Sequence, residues 1–309
     1  MNDGFRFSGC IPANLIPFTA DLEIDVPAYT KHLRWLAGAK GVTAIVANGH
    51  AAEVSSLSRE ERIRALAIAL EAVGGAVPVI AGVYADGTQE AVALARDART
   101  AGAAGLLVFP PTIFMWGAQV KPEMVLRHFS MLADAVDLPL VVFEYPPSSG
   151  IGYSPETLGE LCKIPAVVAV KDWSNDIVAY EANLRALRAS GRPVAMLSSF
   201  TMSLMATFLL SADGCISGMG SVAADLQAEL FAAVKTGDLA EARRVNERLS
   251  PLVGVFYAPP FVDMHNRMKE ALALLGRIPA AHVRPPLTPV SDDERQRIRL
   301  ALRSAGLSA

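Results

Sequence analysis

The run Val167-Val168-Ala169-Val170-Lys171 sets one lysine at the end of an apolar, strand-forming stretch, with Asp172-Trp173-Ser174 directly after it. Burial disfavours an ammonium and lowers its pKa, which leaves a free amine able to attack a carbonyl and form a Schiff base. The competing reading is a lysine whose stem covers apolar surface while its head reaches water. Perturbed lysines mark functional sites only statistically, so the neighbouring residues have to decide.

Other chemistry-bearing residues follow short apolar runs in the same way. Asn48-Gly49-His50-Ala51-Ala52-Glu53 offers a glycine turn able to present successive amides to a carboxylate. His50 is either a further donor there or a satisfied turn histidine, and Glu53 reads as a helix-start or loop-fixing carboxylate rather than a general acid. In Phe109-Pro110-Pro111-Thr112 only Thr112 carries a hydroxyl. In Phe143-Glu144-Tyr145, strand alternation turns either the two aromatic side chains or the carboxylate inward. Ser217-Gly218-Met219-Gly220-Ser221 is either a tight turn or a phosphate loop, and no Lys or Arg lies nearby to favour phosphate. Asp263 to Glu270 opens a polar helix with Asp263 as its expected cap. Its Asp and His lack the spacing of metal ligands on one face, so the stretch reads as packing and interface material.

Eight short strand-type runs would carry these residues: Ile11–Ile16, Thr43–Ala47, Val77–Ala81, Gly105–Phe109, Pro139–Phe143, Val167–Lys171, Val194–Ser198 and Gly214–Ser217. Segments with apolar residues at three- and four-residue spacing separate them, several with start signals. Ser58-Arg59-Glu60-Glu61 is a capping box, and Thr88 and Ser154-Pro155 are expected to open later helices. Alternating strands and helices predict an α/β fold, a (β/α)₈ TIM barrel over residues 1–221, with Lys171 at the strand end where such barrels gather their active sites. A doubly wound sheet is disfavoured, because Pro17-Phe18-Thr19-Ala20 follows the first strand where a glycine-rich fingerprint would stand. Beyond residue 221 the signal is helical, which predicts a C-terminal helical region, 222–309, packed on the barrel.

Composition narrows the partners. Of 309 residues, 52% are hydrophobic and 19% charged, which suits a sheet covered on both faces. With 28 basic and 31 acidic residues the net charge is −3, and no block of like charge points to nucleic acid or an anionic membrane. A small molecule is the expected partner. Cys10, Cys162 and Cys215 are too scattered for a disulfide framework or zinc site and read as reduced core residues. No signal-peptide pattern or membrane-length apolar run is present, so a cytoplasmic location is expected.

These motifs carry a resemblance. Ile11 to Phe18, Gly49 to Glu53 followed by Leu57-Ser58-Arg59-Glu60-Glu61-Arg62, Val170-Lys171-Asp172, the ungapped stretch Leu197 to Ser217 and Arg284-Pro285-Pro286-Leu287 resemble the dihydrodipicolinate synthase and N-acetylneuraminate lyase family of class I aldolase-type barrels, over nearly the whole length. The resemblance implies a lyase with Lys171 as Schiff-base residue, needing no cofactor or metal, and a homodimer or homotetramer. It implies substrate contacts from Gly49, His50, Ala51, Phe143, Ser199 and Ile216.

The chain also departs from the family. Phe143 stands in place of the proton-relaying tyrosine, His50 and Ala51 in place of paired threonines, Pro111 and Thr112 in place of two tyrosines, and Ser148 in place of a carboxylate-binding arginine. Some family members that dehydrate 2-keto-3-deoxy sugar acids likewise lack the tyrosine. The expectation is therefore an atypical member acting on pyruvate or a 2-keto-3-deoxy acid by retro-aldol cleavage, condensation or dehydration, outside lysine biosynthesis, with proton transfer from Tyr145, Thr112, His50, water or a substrate group. The alternative is a non-catalytic or regulatory keto-acid binder.

Overall fold

The structure, a computed structural model, describes residues 6–307. Its strands are β1 Gly9–Pro12, β2 Ile45–Ala47, β3 Val79–Val83, β4 Gly105–Val108, β5 Leu140–Glu144, β6 Val167–Asp172, β7 Ala195–Ser198 and β8 Gly214–Ser217. The helices are α1 Val26–Gly38, α2 Arg59–Val73, α3 Thr88–Ala101, α4 Pro122–Ala135, α5 Pro155–Leu161, α6 Ile177–Ala189, α7 Leu204–Leu209, α8 Gly220–Lys235, α9 Leu239–Phe256, α10 Met264–Leu274 and α11 Asp292–Ser304. All eight strands join one sheet in the order β1-β8-β7-β6-β5-β4-β3-β2, and parallel bridges Cys10–Val42 and Ala13–Val46 link the segments of β1 and β2. The fold is a (β/α)₈ TIM barrel followed by C-terminal helices. Among the described residues no helix is long and apolar enough to cross a membrane.

Internal contacts divide the chain into two compact units, one holding Pro78–Ile216 and the other Gly9–Val77 with the chain from Ser217 onward. In the first, β3 and β5 are buried at every position, as expected of parallel strands covered on both faces. Ser154 opens α5 through its hydroxyl, which accepts the Thr157 N–H, and Asp176 does the same for α6 through Ala179. Thr88 does not cap α3 as the sequence suggested. It is the first helical residue after Gly87, and its hydroxyl instead bonds His128 Nδ1 at 3.0 Å. Before β6, the Arg192 guanidinium donates to the carbonyls of Cys162, Ile164, Pro165 and Val167 at 2.9, 2.6, 3.0 and 3.1 Å. One cation thus fixes the turn that launches the Lys171 strand.

In the second unit β1 is shorter than the sequence predicts, for two reasons. Pro12 has no N–H to donate, and Ala13 and Asn14 then make single bonds to different strands, to the carbonyls of Ser217 and Val46. The capping box at Ser58 forms: its hydroxyl accepts the Glu61 N–H at 3.2 Å and Glu61 accepts the Ser58 N–H at 2.9 Å. Glu61 also receives Arg284 at 2.5 and 2.8 Å. Asp263 does not cap α10 with its side chain, because its carboxylate is taken by Asn266 Nδ2 at 3.0 Å. The helix is nonetheless a packing element. Arg267 is 2% exposed and paired with Glu294, and Lys269 forms a fully buried ion pair with Glu53. Glu53 has a left-handed backbone at φ 52° and also accepts the Arg284 N–H at 2.9 Å, which makes it the loop-fixing carboxylate expected.

Breaking a buried pair from one side leaves an uncompensated charge, a loss of about 3–5 kcal/mol. Glu53→Ala should therefore cut the unfolding free energy by that order, read as a lower urea midpoint. A midpoint equal to wild type would show that Lys269 finds another way to shed its charge.

Candidate active site

Lys171 lies near the C-terminal end of β6, in register with Phe143 on β5. Its Nζ sits 3.5 Å from the centroid of the Phe143 ring, and the residue is 5% exposed. No acidic group forms an ion pair with it among the described residues. Burial pushes the amine down to about 7 from the usual lysine value of 10.5, because nothing opposes the desolvation of its charge. The side chain is a buried amine that is substantially neutral at neutral pH.

Alternation along the paired strands sorts the remaining groups onto two faces. Phe143 and Tyr145 fall on the Lys171 side, with their ring centroids 4.5 Å apart. Trp173 stands 5.5 Å from Tyr145, Phe109 5.1 Å from Phe143, and Tyr84 5.4 Å from Phe109. Glu144 and Asp172, also in register, lie fully buried on the other face. Glu144 accepts the Tyr153 N–H at 3.0 Å, while Asp172 accepts the Ser174 N–H at 2.9 Å and Asn183 Nδ2 at 2.8 Å. Burial raises both carboxyls from their ordinary values, Glu144 well above it, where the neighbouring Asp172 adds to the rise by like charge. Both acids therefore brace the loops after β5 and β6 and face away from the lysine.

The other residues singled out from the sequence take varied places. Tyr145 is buried, and burial with the nearby Tyr84 holds its phenol above the usual range. Thr112 is exposed at the start of a 3₁₀ turn, Thr112–Trp116, anchored by its N–H to the Asp86 carboxylate at 2.9 Å. Ser199 ends β7 with its N–H on the Asp172 carbonyl at 2.6 Å, and Ile216 is fully buried in β8. In the other unit, Gly49 precedes a 3₁₀ turn over His50–Ala52, and the Ala52 and Glu53 amides bond back to the carbonyls of Gly49 and His50. The His50 ring lies 6.3 Å from that of His265. A Cβ at Gly218 would meet the His265 ring at 3.2 Å, so the close approach of this side chain favours a glycine there.

Trp173, Tyr84 and Phe109 are members of the Lys171 cluster that sequence reasoning did not single out as site residues. Phe109 ends a predicted strand and Trp173 directly follows Lys171-Asp172, so the strand-end rule that selected Lys171 reaches both, whereas Tyr84 lies past the predicted strand end at Ala81 and follows β3 only in the structure. Among the described residues no group of three or more His, Cys, Asp or Glu side chains is placed to hold a metal.

Comparison with known proteins identifies the lineage. The profile of the dihydrodipicolinate synthetase family matches residues 6–305. A 4-hydroxy-tetrahydrodipicolinate synthase of Gluconacetobacter diazotrophicus is 32% identical, over 97% of this chain and 98% of its own. The dihydrodipicolinate synthase of Acinetobacter baumannii in complex with pyruvate superposes with a TM-score of 0.88 at 29% identity, covering 98% of this chain and 100% of that one. A prophage protein of E. coli K12 from the same family, also in complex with pyruvate, gives a TM-score of 0.88 at 27% identity, covering 97% and 99%. The chain therefore belongs to the dihydrodipicolinate synthetase family, whose members are lyases of the class I aldolase type.

Proposed function

We propose that Lys171 forms a Schiff base with the carbonyl of pyruvate or a 2-keto-3-deoxy acid, and that the chain catalyses cleavage or formation of the adjacent C–C bond or loss of a hydroxyl. The observation that carries this reading is a buried amine near neutrality, set against an aromatic ring at a strand end. The pyruvate complexes of two relatives support a 2-keto acid as its partner. The neutral amine attacks the carbonyl, water leaves, and the resulting iminium draws electrons from the neighbouring carbon so that a bond one carbon further on breaks. Water then hydrolyses the iminium and restores the lysine.

The remaining roles follow the family residue by residue. By that correspondence the amides of Gly49, His50 and Ala51 and the His50 imidazole would bind the keto-acid carboxylate, and Phe143, Ser199 and Ile216 would contact the bound substrate. Phe143 has no hydroxyl to relay a proton, and Thr112 is exposed. Tyr145, whose ring packs on Phe143, is the better-placed proton carrier, working with water. Ser148 in place of the carboxylate-binding arginine sets the enzyme apart from lysine biosynthesis, although several relatives carry the synthase name. A cytoplasmic homodimer or homotetramer is the form proposed.

Borohydride in the presence of labelled pyruvate should add one pyruvyl group, at Lys171, and Lys171→Ala should abolish it. The trapping rate should rise with pH through about 7, since only the deprotonated amine attacks and that fraction grows as pH passes the lysine's value. A flat profile from pH 6 to 9, or an adduct surviving in Lys171→Ala, sinks the reading. A second reading, a keto-acid binder without turnover, is favoured by the missing hydroxyl at Phe143. It predicts an adduct but no product with any aldehyde or sugar acid, and turnover lost in Lys171→Ala excludes it. Phe143→Tyr separates the two further. In an enzyme that has rerouted proton transfer the new phenol should change kcat by less than about tenfold, whereas in a relay-deficient binder it should raise turnover by roughly 10²-fold or more.

A further inference from the structure

Four consecutive strand ends carry the rings on the Lys171 side of the sheet: Tyr84 follows β3, Phe109 follows β4, Phe143 and Tyr145 end β5, and Trp173 follows β6. Their contacts form an unbroken row. Tyr84 meets Phe109 at 88°, Phe109 meets Phe143 at 71°, Phe143 and Tyr145 are tilted at 44°, and Tyr145 meets Trp173 at 72°. Phe109, Phe143 and Tyr145 are buried, whereas Tyr84 and Trp173 at the two ends of the row are half-buried. The Lys171 amine rests on the middle ring of this wall.

Such a wall discriminates between classes of substrate. A sugar-derived chain laid against it would lose water from each hydroxyl, a cost repaid only by new hydrogen bonds. Of the polar groups of β5, β6 and their loops, both carboxylates and the Ser149 hydroxyl are engaged elsewhere. Glu144 holds the Tyr153 amide, Asp172 holds Ser174 and Asn183, and the Ser149 hydroxyl donates to the Pro146 carbonyl at 2.6 Å. A flat aromatic group has no such debt, and it can meet these rings in the offset or perpendicular geometries they already adopt among themselves.

We propose that the aldehyde joined to, or released from, pyruvate at Lys171 carries an aromatic ring that seats against Trp173 and Tyr145, so that the enzyme is an aryl-aldehyde aldolase; this rests on the Schiff-base reading above. In the condensing direction the enamine of Lys171 and pyruvate attacks the aldehyde carbon through its C3, forming one C–C bond. The aldehyde oxygen becomes an alkoxide and takes up a proton in place of the one C3 gave up on forming the enamine. Water then cleaves the iminium, returning the molecule lost in imine formation, freeing the amine and releasing a 4-aryl-4-hydroxy-2-oxobutanoate. Nothing is oxidised or reduced.

The test gives the full-length protein pyruvate with benzaldehyde or with glyceraldehyde and follows the hydroxy-keto acid by liquid chromatography and mass spectrometry, beside borohydride trapping of pyruvate. The expected kcat/KM for benzaldehyde exceeds that for glyceraldehyde by roughly tenfold or more, a discrimination typical of an apolar pocket. Trp173→Ala should collapse that ratio towards one, while Trp173→Phe, which keeps a ring in place, should hold it within about threefold of wild type. If the pyruvyl adduct forms but glyceraldehyde serves as well or better, or neither aldehyde turns over, or Trp173→Ala weakens both equally, the aromatic assignment alone falls. If no adduct forms at all, the Schiff-base reading falls and this one with it.

Discussion

The interaction on which the site depends is the burial of one amine without a counter-charge. A fall from 10.5 to about 7 means that burial disfavours the charged form by roughly 5 kcal/mol relative to water, at about 1.4 kcal/mol per pH unit, which leaves the two forms about equal at pH 7. The molecule contains its own control in Lys269, buried to the same degree. That lysine is paired with Glu53, and burial still lowers it, but only to about 8, because the carboxylate favours the charged form. One lysine keeps an ion-pair partner and ties loops together. The other meets only an aromatic face and is left as a reactive base.

Keeping Lys171 unpaired requires that acids on the same strands point away from it, and period-two alternation does this without special geometry. Lys171 and Phe143 share a register, so Asp172 and Glu144 share the next one and emerge on the opposite face. Had the register slipped by one residue, Glu144 would stand beside the amine and the ion pair would restore its charge. The acids on the far face are put to structural use, holding the amides of Tyr153 and Ser174 and so fixing the loops that follow the two strands. Arg192, bonded to four carbonyls ahead of β6, limits slippage from the other end of the strand.

Much of this was legible in the sequence because it depends on short-range patterns. The eight βα units, the Ser58 capping box and the lysine closing an apolar run are local signals, and the fold obeys them. The sequence also stated the alternation at Phe143-Glu144-Tyr145 but left open which side faced inward, since phase relative to neighbouring strands is a tertiary quantity. Asp263 and Thr88 misled for a related reason. Each is a good cap by type, yet Asn266 and His128, brought close by the helices they belong to, compete for the same side chains. The row of rings was out of reach because Tyr84 and Trp173 lie 89 positions apart in the chain, and only closure of the intervening strands sets them along one wall.

Phe143 lacks the relay hydroxyl but keeps, as a tyrosine would, an aromatic face against the Lys171 amine. An aromatic face attracts a cation by about 0.5–2 kcal/mol, well short of the roughly 5 kcal/mol that desolvation sets against the Lys171 ammonium, so a substantial fraction of the amine is neutral at pH 7. The balance differs once a Schiff base forms. A protonated iminium spreads its charge over carbon and nitrogen and is less strongly hydrated than an ammonium, so it forfeits less on burial while retaining the attraction of the ring 3.5 Å away. In the proposed mechanism Phe143 would then favour the charged intermediate over the charged resting state, the sense of discrimination that lowers a barrier. In the mechanism proposed above, proton transfer would pass to the neighbouring phenol of Tyr145, whose ring packs 4.5 Å from that of Phe143.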